Sequence, residues 1–284
     1  MFIYLNGDIV KDKEAAISPF DYGYLYGIGF FESFRIYDGH PFLLDDHLDR
    51  LNKALQEVHI NQRFTRASMQ SIIERLLNVN GWQHASFRLS VTAGKGEPAL
   101  RTLAFEEPTI LVYGGPLPEA PMELQEKKAS VLTIRRNSPE GSERWKSHHF
   151  LNNLLAKQEI GNPAVEGIFL DQFGHVAEGI TSNIFWVKGN TVYTPSVDTG
   201  ILNGITRQYV LSLCEKRGIT VEIGRYPLSA LLEAEEIFMT NSVQEITGIH
   251  EVDGSSFPGK AGQITNELFK HYTQDRNELW TRNG

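Results

Sequence analysis

A short stretch near the middle of the chain, residues 114–121, limits how the protein can fold. Its sequence, GGPLPEAP, holds two glycines and three prolines. Proline fixes its own φ and cannot continue a helix, so a run this rich in proline and glycine interrupts regular structure. We therefore predict an N-terminal α/β domain over residues 1–113 and a larger C-terminal domain over residues 122–284, joined by a linker at residues 114–121.

The N-terminal part has the pattern of strands with two helices between them. FIYLNG is a short strand, and FFESFRIYDGHPFLL is a hairpin that turns at Asp38-Gly39. One helical stripe follows, with apolar residues at alternating spacings of four and three: Leu44, Leu48, Leu51, Leu55 and Val58. SIIERLLNVNG is a second helix that ends at Gly81. SFRLSVTAG alternates like a half-buried strand, and the continuously apolar TILVYGG is predicted to be the more buried of the two.

The C-terminal part is predicted to hold more strands than helices. ASVLTIRRN is its first strand, and a loop with Lys146 leads into the helix HFLNNLLAKQEIG. Two hairpins follow, which turn at Phe173-Gly174 and at Gly189-Asn190. A helix over residues 205–217 ends at Gly218, ITVEIGRYP and EEIFMTNS add strands, and ITNELFKHYTQ is a late helix. The predicted fold class is therefore α+β in two domains.

Composition excludes several classes of function. The net charge is −8, whereas a nucleic-acid-binding protein normally presents a basic face, so we expect a small-molecule substrate and no nucleic acid. The one cysteine, Cys214, cannot form an internal disulfide, and we interpret it as a core residue in a reducing compartment. The first residues lack the pattern of a signal peptide, and no apolar run has the length of a membrane span. A cytoplasmic location without membrane binding is the expectation.

Lys146 lies in ERWKSHHFLNN, between large apolar neighbours. Taken alone, a lysine is most often a solvated surface charge. Trp145 and Phe150, however, are able to exclude water from the amine, which would lower its pKa and make it a nucleophile that condenses with an aldehyde. This stretch by itself leaves both interpretations open.

Glu178, in VAEGITSNIF, lies between two strand-like runs. It is either a solvated turn residue or a carboxylate that keeps a heteroaromatic nitrogen protonated, which makes a pyridine ring an electron sink. Arg50, on the first helix but off its apolar stripe, is either a solvated arginine or a charged anchor for a phosphate.

The stretch LNGITRQYV begins a helix near Ile205-Thr206. A helix N-terminus binds phosphate through its free N–H groups and its dipole, although Asn203 could instead be an ordinary N-cap. Thr240-Asn241, after a buried strand, offers similar donors. Taken together, the chain supplies an amine, a carboxylate for a ring nitrogen and an anion cradle, and pyridoxal 5′-phosphate needs all three.

Nine histidines raise the alternative of a metal hydrolase, but they show no recognisable ligand spacing, so we predict no metal site. His148 and His149 are adjacent, and adjacent side chains on a helix do not face one site. Because Lys146 already supplies a base, we interpret both histidines as packing or supporting residues.

Several stretches also resemble one known family. HLDRL, the lysine ahead of FLNNLLAKQEI, DQFGHVAEGITSNIF, VYTPSVDTGILNGITRQYV and EEIFMTNSVQEI occur in the order and at the distances found in fold-type IV pyridoxal-phosphate enzymes. SPFDYGYLYGIGFFESFRIYDG and RRNSPEGSERWKSHHFLNN are most similar to the aminodeoxychorismate lyases of Gram-positive bacteria, with D-amino-acid aminotransferases as the near alternative. The resemblance implies a smaller N-terminal domain, a larger pseudo-barrel C-terminal domain, a homodimer, and release of 4-aminobenzoate and pyruvate from 4-amino-4-deoxychorismate in folate biosynthesis.

The resemblance also implies roles for individual residues. Lys146 matches the lysine that holds the cofactor and moves protons, and Glu178 matches the carboxylate that pairs with the pyridine nitrogen. The implied phosphate contacts are Arg50, Ile205, Thr206, Thr240 and Asn241. One departure is Phe150, where related aminotransferases often have a tyrosine whose phenol lies near the cofactor's ring oxygen.

The substrate contacts are less defined, and the candidates are Tyr26, Glu32, Arg35 and Arg88. Two alternatives to the lyase stay open at this point: a D-amino-acid or branched-chain aminotransferase of the same fold, and a binding protein without catalysis. A protein that only binds needs neither Lys146 nor Glu178, and the presence of both favours an enzyme.

Overall fold

The computed structural model describes residues 1–97, 99 and 104–284, and within them the strands form two sheets. The first sheet contains β1 (Phe2–Leu5), β2 (Asp8–Lys11), β3 (Gly29–Tyr37), β4 (His40–Pro41), β5 (Ala85–Thr92) and β6 (Thr109–Pro116). These strands are antiparallel in the order β2-β1-β6-β5-β3-β4. The predicted hairpin is confirmed, since Tyr37 pairs with His40 across the turn at Asp38-Gly39.

Three helices accompany the first sheet: α1 (Tyr22–Tyr26), α2 (Leu44–Glu57) and α3 (Arg66–Asn80). The predicted apolar stripe of α2 is confirmed, because Leu44, Leu48, Leu51 and Leu55 are all buried in one core with the inward side chains of β3 and β5. A capping box at Thr65 begins α3, and Gly81 in the left-handed conformation ends it as predicted. Helices α2 and α3 thus pack on one face of the first sheet. Arg50 lies on α2.

The prediction that TILVYGG is the more buried strand is wrong. In β6 only Val112 is fully buried, and most of its neighbours are half-buried. On β5, by contrast, the inward residues Phe87, Leu89 and Val91 are all at most 1% exposed. The reason is that α2 and α3 cover one face of the sheet, so that a central place in the hydrogen-bonding order does not bury both faces of a strand.

The second sheet contains β7 (Gln125–Val131), β8 (Val165–Leu170), β9 (Val176–Gly179), β10 (Asn183–Lys188), β11 (Thr191–Pro195), β12 (Thr220–Gly224), β13 (Glu236–Asn241), β14 (Glu245–Val252) and β15 (Ser255–Ser256). Within the described residues its order is β12-β11-β10-β13-β14-β7-β8-β9, and β15 pairs with β14. The pairs β11–β12, β7–β8 and β7–β14 are parallel and the others are antiparallel, which makes this a mixed sheet.

The remaining helices are α4 (Leu151–Ile160), α5 (Ile205–Arg217), α6 (Leu228–Leu232) and α7 (Gln263–Asp275). Short 3-10 turns lie at Asp12–Glu14, Val197–Thr199 and Gly259–Ala261. Helices α5 and α7 pack on one face of the second sheet around Phe185 and Phe238, and Cys214 is buried in that core as predicted. The bounds predicted for α5 are confirmed, and Gly218 ends the helix in the left-handed conformation.

The sequence interpretation missed β2, β14, β15, α1 and α6. Strand β14 lies between β13 and β7, and β7 is more than a hundred residues away along the chain. Its partners, rather than a strict alternation of its own residues, therefore place it in the sheet. The helices α1 and α6 have five residues each, which is too short for a periodic signal.

The two sheets agree with the predicted α+β fold class. The predicted linker begins inside β6, which continues to Pro116, and residues 117–124 then lead to β7 without a helix or strand. The boundaries of the two domains stay a prediction. In the part of the chain that the structure describes, every helix is too short or too polar to cross a bilayer.

Candidate active site

A cavity of about 360 Å³ lies where both halves of the chain meet. Phe31, Ser33, Arg50 and Arg88 line it from the first half, and turns of the second half form the remaining wall. The seven site residues predicted from the sequence all line this cavity: Arg50, Lys146, Glu178, Ile205, Thr206, Thr240 and Asn241. Residues that are up to 191 positions apart are thus brought to one place, from Arg50 to Asn241 (241 − 50).

The loop with Lys146 is fastened to β3. The carbonyl of Lys146 accepts a hydrogen bond from Phe31 N (2.9 Å), and His148 N donates to the carbonyl of Gly29 (3.0 Å). The Lys146 ammonium lies 4.8 Å from the centre of the Phe31 ring. Burial lowers the pKa of Lys146 to about 8, and the positive charge of Arg50 adds to this effect. A substantial fraction of the amine is therefore neutral near pH 8, and only the neutral amine is a nucleophile or a base.

Glu178, on β9, is buried and surrounded by N–H donors. Its Oε1 accepts from Arg136 Nε (2.7 Å), while its Oε2 accepts from Leu202 N (3.0 Å) and Asn183 Nδ2 (3.3 Å). An ionised carboxylate has about four lone-pair sites, so these three donors leave capacity for one more. The arrangement holds an acceptor in a fixed place at the cavity wall.

Arg50 joins α2 to the turn before α5. Its Nε and Nη2 donate to the two oxygens of Glu32 (2.7 Å each), and its Nη1 donates to the carbonyl of Asn203 (2.9 Å). Glu32 is buried, and Arg50 is the member of the pair that reaches the cavity. The guanidinium is therefore a fixed positive group beside the start of α5.

The N-terminus of α5 has no side-chain cap. The N-cap is Gly204, and the alternative of a cap at Asn203 is wrong, because Asn203 Oδ1 instead accepts from Arg207 Nη1 (2.9 Å). A Cβ at Gly204 would come within 2.1 Å of Asn183 Oδ1, so a larger residue there would displace the Asn183 side chain. The N–H groups at the start of α5 therefore keep their capacity to bind an anion.

The turn between β13 and β14 forms the opposite side of this anion site. Thr240 Oγ1 is buried, and none of the described residues hydrogen-bonds it. Thr206 Oγ1 lies 3.5 Å from Ser242 Oγ. Asn241 also lines the cavity, and its Oδ1 accepts from Val243 N (2.9 Å) and Gln244 N (2.7 Å), so the Asn241 side chain closes the turn. We call Arg50, the start of α5, Thr206, Thr240 and Ser242 the anion cradle.

The anion cradle fits a phosphate group. A buried hydroxyl without a partner costs free energy unless a ligand or water bonds to it, and Thr240 Oγ1 is such a group. The cradle also offers a guanidinium and an uncapped helix N-terminus, which are the groups that bind phosphate in proteins.

The structure separates the candidate substrate contacts into two kinds. Arg88 lines the cavity, with its guanidinium 3.4 Å from the centre of the Phe31 ring and its Nε donating to Ser90 Oγ (3.1 Å). Burial lowers the pKa of Arg88. Arg35 instead donates to the carbonyls of Val243 and Pro118 (2.9 Å each), behind the cavity wall.

The other two candidates also have partners away from the cavity. Glu32 bonds to His47 and Arg50, and Tyr26 stacks on Tyr22 with ring centres 5.6 Å apart. Of the four candidates, Arg88 is thus the one that lines the cavity.

The histidines and Phe150 lie near the cavity opening. His149 lines the cavity, and its Nδ1 lies 3.3 Å from Glu140 Oε1. Burial lowers the pKa of His148 to about 4, so its ring is neutral, and it packs 6.1 Å from the Phe31 ring. Phe150 lines the cavity and meets Phe31 edge to face.

Sequence reasoning missed several polar residues of the site. Arg136, which pairs with Glu178, lies in a strand-like run without a local signal. His47 and Ser242 meet across 195 positions of the chain. Only the folded chain shows these contacts, because no sequence period connects the partners.

Comparison with known proteins agrees with the earlier resemblance. The model of the amino-transferase class IV family matches residues 29–252. The chain is 44% identical to aminodeoxychorismate lyase of Bacillus subtilis (strain 168), over 99% of this chain and 97% of that protein. It is 32% identical to D-alanine aminotransferase of Bacillus licheniformis, over 94% of each chain.

A solved structure has the same fold. The crystal structure of 4-amino-4-deoxychorismate lyase from Pseudomonas aeruginosa superimposes with a TM-score of 0.85 at 26% identity, over 97% of this chain and 99% of that chain. The family match, the full-length relatives and the shared fold together show that the chain belongs to the amino-transferase class IV family.

Proposed function

We propose that this protein is a pyridoxal-phosphate-dependent lyase that converts 4-amino-4-deoxychorismate to 4-aminobenzoate and pyruvate. The observation that supports it most is the single cavity that unites the amine of Lys146, the carboxylate of Glu178 and the anion cradle. The 44% identity to an aminodeoxychorismate lyase over nearly the whole chain favours this reaction among those of the family.

Pyridoxal 5′-phosphate supplies, when bound, an electron sink for negative charge that develops on a substrate carbon. Its phosphate would be held by Arg50, the N–H groups of Ile205 and Thr206, and the Thr240 hydroxyl. Glu178 would accept a hydrogen bond from the pyridine N–H and so keep that nitrogen protonated. The Arg136 and Leu202 donors fix the carboxylate in this role.

Lys146 has two tasks in this proposal. Its neutral amine would hold the cofactor, and burial makes that neutral form accessible near pH 8. The same Nζ would take the proton from the substrate carbon that bears nitrogen. Loss of this proton lets the enolpyruvyl oxygen leave the neighbouring carbon, and the ring becomes aromatic.

Arg88 is the group we assign to a substrate carboxylate. The substrate has two carboxylates, and most guanidinium groups around the cavity already have protein acceptors, such as Glu32 for Arg50 and Glu178 for Arg136. Arg88 donates from Nε to Ser90 and stacks on Phe31, an arrangement that fixes the plane of its terminal N–H groups.

A homodimer and a cytoplasmic location complete the proposal. Four apolar side chains at the start of α4 are 42–66% exposed next to the cavity, which supports a second copy packing there: Phe150, Leu151, Leu154 and Leu155. The single cysteine is buried and has no disulfide partner, which fits a reducing compartment.

The test is an assay with enzymatically generated 4-amino-4-deoxychorismate that follows 4-aminobenzoate and pyruvate together. We expect equal amounts of both products, and none from Lys146→Ala, which should also lose the borohydride-reducible link to the cofactor. Cofactor-loaded protein that yields neither product, but that transaminates D-alanine with 2-oxoglutarate, would assign the chain to the aminotransferases instead. Cofactor-loaded protein with neither activity would leave the binding-protein alternative.

A further inference from the structure

Three side chains form a hydrogen-bonded row behind the anion cradle. Glu32 Oε2, on β3, lies 2.7 Å from Nδ1 of His47, and Nε2 of the same ring lies 3.4 Å from Ser242 Oγ. Glu32 and His47 are each 1% exposed, whereas Ser242 lines the cavity. None of the steps assigned to Lys146, Glu178 or Arg88 uses this row.

Glu32 determines which nitrogen of His47 bears hydrogen. Burial alone would raise the pKa of Glu32, but Arg50 and His47 outweigh it and lower that pKa to about 2. An ionised carboxylate only accepts hydrogen bonds, so His47 Nδ1 must be the donor. The neutral ring then has a lone pair at Nε2, and the Ser242 hydroxyl is the group that donates to it.

A phosphate in the cradle changes the direction of that last bond. A phosphate dianion only accepts, so a Ser242 hydroxyl that bonds to it must turn its hydrogen away from His47. The Ser242 oxygen and His47 Nε2 would then face each other with lone pairs, and neither would donate. A proton on Nε2 removes this conflict, because an imidazolium donates from both nitrogens.

We propose that Glu32, His47 and Ser242 couple the binding of a phosphate dianion in the anion cradle to the uptake of one proton at His47 Nε2. The proposal rests on the phosphate site of the proposed function and adds a proton to it. The proton comes from solvent, no covalent bond to carbon changes, and Ser242 then accepts from His47 while it donates to the phosphate. His47 is thus a positioning residue that acts through Ser242.

The surroundings of His47 keep its ring neutral in the absence of an anion. Burial lowers the pKa of His47, Glu32 opposes that effect, and Arg50 and Lys146 add to it. Asp46, the neighbour on α2, is the other charged group close enough to interact with the ring. The ring is therefore neutral near pH 8 without an anion. A dianion beside Ser242 raises the pKa, so the bound state holds the additional proton.

Calorimetry on the full-length, cofactor-free chain tests the linkage directly. Inorganic phosphate is titrated at pH 8 in several buffers with different heats of ionisation, and the dependence of the binding heat on the buffer counts the protons taken up. We expect an uptake approaching one proton per phosphate for the wild type, and the same count when pyridoxal 5′-phosphate binds to Lys146→Ala, in which no proton exchange at the amine contributes.

Two variants and one control separate the row from general structure. Ser242→Ala removes the hydroxyl from a turn, and His47→Gln removes the titrating group; both should bring the uptake close to zero and weaken phosphate binding about five- to tenfold. His175→Gln is the matched control, because His175 also pairs with a carboxylate, Asp171 at 3.1 Å, whereas its side chain contacts Asp171 and Phe173, neither of which belongs to the anion cradle. Its uptake should equal that of the wild type.

The outcomes keep this proposal distinct from the lyase assignment. Equal proton uptake in the wild type and in Ser242→Ala would contradict the proposed proton linkage, even if 4-aminobenzoate is formed. Phosphate binding with uptake of one proton, in a protein that makes no 4-aminobenzoate, would support the proton linkage and contradict the lyase assignment. A wild-type chain that binds no phosphate would contradict both the proton linkage and the anion cradle.

Discussion

Two buried arginine–glutamate pairs flank the cavity: Arg50 alone lines it in the first pair, whereas both Arg136 and Glu178 line it in the second. In both pairs arginine Nε lies 2.7 Å from glutamate Oε1. Glu32 bonds with both oxygens to Arg50 and His47, and Arg50 is the group that reaches the cavity. In the other pair Arg136 Nη1 donates to Asn137 and Asn152, and Glu178 keeps lone-pair capacity at the cavity wall.

The difference shows how the same kind of ion pair can bind two different groups of one ligand, a phosphate and a protonated ring nitrogen. A buried ion pair adds little net stability, because desolvation offsets most of the attraction between the charges. Its use here is to hold one charged group in a fixed place. The Glu32 pair offers a cation beside the helix α5 N-terminus, and the Glu178 pair offers an acceptor for a protonated ring nitrogen.

Glu178→Gln should have the largest effect and break the second pair. Glutamine cannot hold the ring nitrogen protonated, so we expect kcat to fall by about a hundredfold or more, as when other preorganised electrostatic contacts are removed. Cofactor affinity should stay within a few-fold, because the cradle is intact. Steady-state kinetics and cofactor titration measure the two effects. A normal kcat would contradict the role of Glu178, and Glu166→Gln, at another buried carboxylate, is the control.

Arg50→Gln should break the first pair and give the opposite profile. Loss of a charge-assisted contact to phosphate should weaken cofactor binding by about ten- to a hundredfold. At saturating cofactor, kcat should change much less than in Glu178→Gln. Dialysis followed by absorbance measures retention of the cofactor. An unchanged cofactor affinity would mean that Arg50 only connects Glu32 to Asn203 and does not bind the phosphate.

The pH dependence of cofactor capture should sharpen the comparison. Capture needs the neutral amine of Lys146, so its rate should rise with pH, reach its midpoint near pH 8 and level off at higher pH. Arg50 lowers this pKa and Glu178 raises it, although burial is the largest cause. Arg50→Gln should therefore move the midpoint to higher pH, and Glu178→Gln should move it to lower pH. Rapid mixing with pyridoxal 5′-phosphate measures the rates, and shifts in the same direction would contradict this account.

Gly204→Ala should have the smallest effect of these variants. Its Cβ would lie 2.1 Å from Asn183 Oδ1, and Asn183 also donates to Glu178, so the change disturbs both ends of the cavity. We expect a loss of about 1–3 kcal/mol in the free energy of unfolding and a few-fold weaker cofactor binding. Denaturant unfolding and cofactor titration measure these changes. Gly115→Ala, where a Cβ meets nothing within 4 Å, should leave both unchanged.

Sequence reasoning reached the parts of the site that have local chemistry. Lys146 has apolar neighbours, and the start of α5 has a glycine before an amphipathic run, so both were recognisable from short stretches. The side chains that hold the other site residues in place were not recognisable. Glu178 is held by Arg136, Arg50 by Glu32, and His47 lies next to Ser242. These partners come from other strands and turns, and no spacing in the chain connects them.

The sequence by itself determined the apolar stripe of α2, the hairpin turns, the ends of α3 and α5, and the residue types that can hold a phosphate and condense with an aldehyde cofactor. These features depend on contacts within a few positions, which backbone preferences and side-chain period define. Only the tertiary structure decided that β14 enters the second sheet, that β6 stays half-buried, and that Arg50 and Glu178 each lie in a buried ion pair at the cavity. These features depend on contacts between segments that are distant in the chain. The burial of a side chain and the partner of a hydrogen bond are defined only when both segments have folded together.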